Sequence, residues 1–148
     1  MNVFVTGATG YIGGAVAAAF RRAGHRVFGL VRSSEKARSL AQAEIVPVLG
    51  DLAAPESFLA VARGCDLFVH CASENSSATV VRDRAAIDTF LAASRDANAP
   101  RAFLYTSGVW VYGDTGGRTV DETSPLAPLD LARWRVEHEQ LVLAAASR

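Results

Sequence analysis

The first thirteen residues constrain what this chain can fold into more than any other stretch. Asn2-Val3-Phe4-Val5-Thr6 is a short β-branched and aromatic run, of the kind buried on both faces of a sheet. Gly7-Ala8-Thr9-Gly10-Tyr11-Ile12-Gly13 follows with no spacer, and from Tyr11 the apolar residues Ile12, Ala15, Val16, Ala19 and Phe20 recur at helical spacing until Gly24 supplies a stop. In a strand-turn-helix setting each glycine has a mechanical task. The first permits the tight turn, the second lets a ligand approach the backbone, and the third lets helix pack on strand. The N–H groups at Tyr11, Ile12 and Gly13 and the positive end of the helix dipole then favour a phosphate, with Thr9 as a hydroxyl donor. The alternative is a glycine turn that merely reverses the chain, and the flanking strand and amphipathic helix argue against it.

Beyond this opening the chain keeps alternating. Residues 26–31 read as a strand, Ser33 and Ser34 can cap a helix through about Gln42, and residues 44–49 read as a third strand ending at Gly50-Asp51. Residues 55–63 are helical, 66–70 a fourth strand, 79–97 a long helix and 101–106 a fifth strand. Residues 113–128 are turn-rich, and 129–146 are helical. The order βαβαβαβαβ predicts an α/β fold, a Rossmann-type doubly wound parallel sheet that breaks off after about five strands.

The 148 residues suit one domain, here the whole of 1–148, with half of them apolar and enough to build a core. Fifteen basic residues balance fifteen acidic ones, so neither nucleic acid nor an anionic membrane is the expected partner, and a small molecule is. Cys65 and Cys71 form no CxxC pair or metal-ligand cluster, which suits core thiols in a reducing, cytoplasmic setting. The most apolar helical stretch, residues 15–20, is far shorter than the about 20 residues a membrane span needs. His70, closing a buried strand, is read as structural. The charges on residues 133–139 are read as a solvated helix face, and Trp110 and Trp134 as packing.

The phrase Val5-Thr6-Gly7-Ala8-Thr9-Gly10-Tyr11-Ile12-Gly13, with its GxxGxxG spacing, resembles the extended short-chain dehydrogenase/reductase superfamily, and within it the NAD-dependent epimerase/dehydratase family. Further landmarks follow in register: Gly50-Asp51-Leu52, His70-Cys71-Ala72-Ser73, and Tyr105-Thr106-Ser107 running into Val111-Tyr112-Gly113. The resemblance implies a dinucleotide whose adenine amino group donates to Asp51, with Leu52 packed nearby. It also implies that Cys71, Ala72 and Ser73 lie along the adenosine ribose and phosphates, and that Thr106 belongs to the cofactor residues. Without the resemblance, Asp51 is equally well a loop-capping aspartate.

Where an acidic residue about twenty positions beyond the glycines would bind the ribose hydroxyls of NAD, this chain has Arg32, suited to the extra phosphate of NADP, with Ser33 adding a hydroxyl. NADP is therefore favoured, and Glu35 keeps NAD open.

The chemistry that the resemblance implies is incomplete. Family members carry a Ser or Thr three residues before the Val of the VYG phrase, and a Tyr-x-x-x-Lys pair on the next helix. Here the first position is Gly108, with Ser107 the nearest hydroxyl. Alignment on Trp134-Arg135-Val136-Glu137 puts Arg135 at the lysine and Leu131 at the tyrosine. Ser107 and Arg135 are the catalytic candidates that remain. Extended members also continue with further strands and a substrate lobe. The expectation is thus a fragment of a longer protein, or a chain that borrows a wall from a partner subunit and self-associates. Functionally, the candidates are the cofactor domain of an epimerase, dehydratase or reductase that moves a hydride at a carbonyl or alcohol carbon, or a silent NADP(H)-binding sensor or scaffold. A Rossmann domain without nucleotide would leave the glycine turn idle.

Overall fold

The computed structural model describes residues 1–74, 76–95 and 100–146. Its elements are β1 (Asn2–Thr6), α1 (Tyr11–Arg22), β2 (Arg26–Val31), α2 (Ser34–Gln42), β3 (Val46–Leu49), α3 (Glu56–Ala62), β4 (Leu67–His70), α4 (Thr79–Arg95), β5 (Ala102–Tyr105) and α5 (Arg133–Ala145). Short 3-10 turns cover Val109–Tyr112 and Asp130–Ala132. The chain divides into two compact units, one ending at Tyr105 and the other beginning at Thr106.

In the first unit the strands form a five-stranded sheet in the order β3-β2-β1-β4-β5, every neighbouring pair parallel. Alternate residues of β1, β2 and β4 feed two separate cores, as a sheet covered on both faces requires. Val3, Val5, Val27, Val31, Leu67 and Val69 pack with Ala17 of α1 and Leu40 of α2 in an aliphatic core. Phe4, Leu30 and Phe68 pack with Phe58 of α3 and Phe90 of α4 in an aromatic one. The aromatic side is a connected stack: Phe68 lies 4.8 Å from Phe90, which also sits 5.7 Å from Phe4 and 5.4 Å from Phe103. Such ring pairs contribute about 0.5–1.5 kcal/mol each beyond the area they bury. The sheet is doubly wound, as the alternation of elements predicts. β5 forms one edge, with Leu104 exposed.

The third strand begins at Val46, two residues later than periodicity predicts. Glu44 takes a left-handed φ of 57°, Ile45 N–H donates to Leu40 O at 3.0 Å and Glu44 N–H to Ala41 O at 3.0 Å. These bonds close α2 in the double-bonded turn that usually carries glycine. Ile45, buried against the same core as Leu40, is the apolar clasp of that turn rather than a strand residue. α1 ends the same way on Gly24, where the glycine made the stop legible. The fourth and fifth strands are shorter than predicted: Asp66 makes only the entry bond, N–H to Asn2 O, and the ladder between β4 and β5 runs from Ala102 to Tyr105, leaving Arg101 and Thr106 outside it. The end of the predicted long helix, at residues 96 and 97, lies outside the described residues.

In the second unit residues 113–128 contain neither helix nor strand, as predicted, and return to the first 3-10 turn through Ala127 N–H to Val111 O at 3.1 Å. The final helix differs from the single run predicted over 129–146. Its first turn, Asp130–Ala132, is 3-10 and only Arg133–Ala145 is α. The solvated-face expectation fails for His138, which is buried edge-to-face against Trp134 at 5.1 Å. Among the described residues no helix is long and apolar enough to cross a membrane.

Candidate functional site

The glycine turn is built by exclusion. Gly7 sits at φ +71°, and a Cβ there would lie 2.8 Å from Ala72 N and Cys71 O; a Cβ on Gly13 would lie 2.2 Å from Gly7 O. Backbone therefore touches backbone where β1 and β4 diverge, the switch point at which open parallel sheets bind ligands. Gly10 is the N-cap of α1, and no side chain caps that helix, so its first-turn N–H groups stay open to an outside anion.

A cleft of about 260 Å³ opens at this end of the sheet, wholly within the first unit. Gly7, Thr9 and Gly10 line it from the end of β1, Arg32 and Lys36 from the β2 side, Asp51 and Leu52 from beyond β3, and Cys71, Ala72 and Ser73 from beyond β4. Landmarks scattered over the sequence from Gly7 to Ser73 thus converge on one wall. Tyr11, Ile12, Gly13, Ser33 and Thr106 do not line it. Tyr11 and Ile12 expose their side chains, and Ser33 caps α2 by accepting from Lys36 N–H at 3.3 Å. Asp51 accepts from Ala53 N–H at 2.9 Å through Oδ1, so it caps its own loop while facing the cleft.

Further cleft residues, Asp83 apart, carry no signal of their own in the sequence. Lys36, Glu74, Thr79, Arg82 and Asp83 all line it. Arg82 Nη1 donates to both Glu74 oxygens, at 2.7 and 2.8 Å, and Arg32 Nη1 lies 3.5 Å from Glu74 Oε2. The Ser76 hydroxyl, donating to Glu74 at 2.8 Å, is the largest influence holding that carboxyl below its ordinary range. Desolvation opposes it, and Arg82 and Arg32 add to the lowering.

Beneath the cleft lies a buried polar chain. His70, which is 1 % exposed, meets Thr6 Oγ1 through Nδ1 at 2.5 Å and Asp83 Oδ1 through Nε2 at 3.1 Å. Tyr105 donates its hydroxyl to Asp83 Oδ2 at 2.8 Å, and Ala72 N–H donates to Thr6 Oγ1 at 3.3 Å. His70 is buried at the strand end, as expected, and it ties the Cys71–Ala72 backbone to α4. The buried residues of α4 include Asp83, Ala86, Ile87, Phe90 and Ala93. A carboxylate at the head of that apolar stripe is the sequence signal for a buried partner. Of the two cysteines, Cys65 is buried, and desolvation with Asp66 beside it pushes its thiol up to about 11; Cys71 lines the cleft half-buried.

The catalytic candidates lie in the second unit. Arg135 Nη1 donates to Thr106 O at 3.4 Å, and its guanidinium stands 4.4 Å from the Trp134 ring. A Cβ on Gly108 would sit 3.9 Å from Arg135 Cδ. Arg135 is thus packed against the 106–108 backbone rather than solvated. The Ser107 hydroxyl is buried without a hydrogen-bond partner among the described residues. Leu131, expected at the tyrosine position, is exposed.

A five-stranded parallel sheet with a glycine cradle at its switch point defines the Rossmann class of dinucleotide-binding folds. Within that class, the model of the NAD dependent epimerase/dehydratase family matches residues 3–144, and the chain belongs to this family. It is 35 % identical over 156 residues to 4-hydroxy-2-methyl-3-oxo-4-farnesyl-3,4-dihydroquinoline-1-oxide ketoreductase of Stigmatella aurantiaca, covering 98 % of this chain and 46 % of that protein. It is 27 % identical over 160 residues to the decarboxylating sterol-4-alpha-carboxylate 3-dehydrogenase of Dictyostelium discoideum, covering 99 % of this chain and 48 % of that one. Among solved structures, the UDP-glucose-4-epimerase of Stenotrophomonas maltophila, with bound NAD and formylated UDP-arabinopyranose, shares the fold with a TM-score of 0.83 at 23 % identity over 100 % of this chain and 50 % of that one. The chain spans about half the length of the curated relatives it matches.

Proposed function

We propose that this chain binds a nicotinamide dinucleotide in the first-unit cleft, as the cofactor part of an oxidoreductase acting on a ketone or secondary alcohol. The observation that carries this is the convergence of Gly7, Thr9, Gly10, Arg32, Asp51 and Ala72 on one cleft at the switch point. The residues present fit the group. The Gly7 and Gly13 contacts keep side chains out of the cradle, and the uncapped start of α1 offers the N–H groups of Tyr11, Ile12 and Gly13 to a pyrophosphate. Asp51 and Leu52 face the adenine end, and Cys71, Ala72 and Ser73 the ribose and phosphates. Arg32, joined by Lys36, favours the 2′-phosphate of NADP over NAD.

When bound, the nicotinamide supplies the hydride donor or acceptor. Arg135 contributes a fixed positive charge and Ser107 a buried hydroxyl, the groups this chain retains for orienting a carbonyl oxygen. The Stigmatella and Dictyostelium relatives, a ketoreductase and a dehydrogenase by name, favour ketone–alcohol chemistry over sugar epimerisation. Cys65 and Cys71, which form no disulfide with each other, suit a reducing, cytoplasmic setting, and the β5 edge suits self-association or cover by further chain.

A second reading is favoured by one observation, the exposed Leu131 where family members carry their tyrosine. It makes the chain a silent NADP(H)-binding module. Titration with NADPH and NADH, followed by the fluorescence of the reduced nicotinamide, tests binding, and cofactor oxidation against a panel of ketones tests turnover. Binding with turnover is expected for the first reading and binding alone for the second; no binding overturns both. Arg32→Ala should weaken NADPH about tenfold and NADH little. Equal loss for the two cofactors would remove the case for NADP.

A further inference from the structure

We infer that Glu74 is a displaceable internal counter-anion of the cleft, and that it sets how strongly the chain discriminates between 2′-phosphorylated and unphosphorylated dinucleotides. This rests on the cofactor reading above and deepens it.

The Arg32 guanidinium that the sequence offers to a phosphate is not presented alone. Its Nη1 lies 3.5 Å from Glu74 Oε2, while Arg82 Nη1 holds both oxygens of the same carboxylate at 2.7 and 2.8 Å. Arg32 comes from the end of β2, Arg82 from the start of α4 and Glu74 from the segment after β4, and all of them line the cleft. One carboxylate therefore joins cations that belong to different elements of the cleft wall. Its two limbs are unequal: the Arg82 and Glu74 side chains are 30 % and 27 % exposed, whereas Arg32 is 61 % exposed. The Arg82 limb is the anchor and the Arg32 limb the part a ligand can open. Ser76 steadies the anchor by donating to Oε1 at 2.8 Å.

A phosphate monoester and a carboxylate compete for the same guanidinium fork, and like charges side by side repel. A 2′-phosphate that reaches Arg32 must displace the Glu74 limb or lie beside its charge. A 2′-hydroxyl makes no such demand. Lys36, the remaining cation of the cleft wall, carries no ion pair among the described residues, so it can receive a phosphate while Glu74 still holds Arg82. Glu74 thus tempers the preference that Arg32 and Lys36 confer.

Glu74→Gln keeps the size and hydrogen-bonding reach of the side chain and removes its charge. Full-chain protein carrying it should bind NADPH about tenfold tighter and NADH within about twofold of wild type. Adenosine 2′,5′-bisphosphate should gain in the same ratio over adenosine 5′-monophosphate as a competitor, which isolates the effect from the nicotinamide. Arg82→Gln frees Glu74 to pair with Arg32 and should shift the NADPH to NADH ratio the other way. Thermal unfolding of each variant reports folding; if Glu74→Gln does not fold, the Arg82→Gln titration decides. An unchanged ratio, or weaker NADH binding by Glu74→Gln, overturns the inference alone, the latter because it would make Glu74 a ribose-hydroxyl acceptor. A wild-type chain that binds neither dinucleotide overturns the cofactor reading and this inference with it.

Discussion

The two units place their functional positions under different constraints. In the first, the binding turn is part of the packing: Gly13 has no room for a Cβ against Gly7 O, and the backbone of Ala72 is tied through Thr6 and His70 to Asp83 on α4. In the second, residues 107, 108 and 131 carry little of the fold. Gly108 has no side chain, Leu131 is exposed, and the Ser107 hydroxyl has no hydrogen-bond partner among the described residues. A cradle welded into the core cannot drift without unfolding the domain, whereas a proton-transfer position can be lost with the fold intact.

Substitutions can break this contrast or sharpen it. Gly13→Ala should have the largest effect, about 3 kcal/mol or more of lost stability in urea unfolding, because the methyl meets rigid backbone at 2.2 Å. A wild-type midpoint would show that the turn is not welded at all. Asp83→Ala should cost about 2–3 kcal/mol, since the buried His70 Nε2 and the half-buried Tyr105 hydroxyl both lose an acceptor. It should also loosen dinucleotide binding, because the Ala72 backbone is held through that chain; unaltered binding would confine the network to stability. Ser107→Ala should be the smallest, within about 0.5 kcal/mol of wild type, since the hydroxyl it removes makes no hydrogen bond among the described residues. If ketone reduction is found, the same variant should lower it without moving the NADPH affinity. A stability loss well beyond that figure would erase the difference between the units.

Much of the first unit is legible in the amino-acid sequence. The β1 turn, Arg32 at the end of the second strand and the doubly wound order follow from local patterns, while Asp51 and Ala72 are picked out only by the resemblance to the family. The misses share a cause. Glu44 in a left-handed φ reads as the start of a strand because only glycine advertises that turn in sequence. His138 reads as solvated because its neighbours Glu137 and Glu139 are charged, and its burial against Trp134 depends on how the helix is seated. Arg82 and Glu74 do not stand out because a charge near a helix start is usually just solvated.

The sequence by itself determined the alternation of strand and helix and the glycine cradle, since local sterics and periodicity do not depend on distant partners. Only the tertiary structure decided which charges meet. Arg32 and Glu74, 42 residues apart, come together because β4 and β2 flank β1 in the sheet. The glycine turn therefore marks where a dinucleotide would be held, while the terms on which its phosphate is admitted depend on contacts that sheet order alone creates.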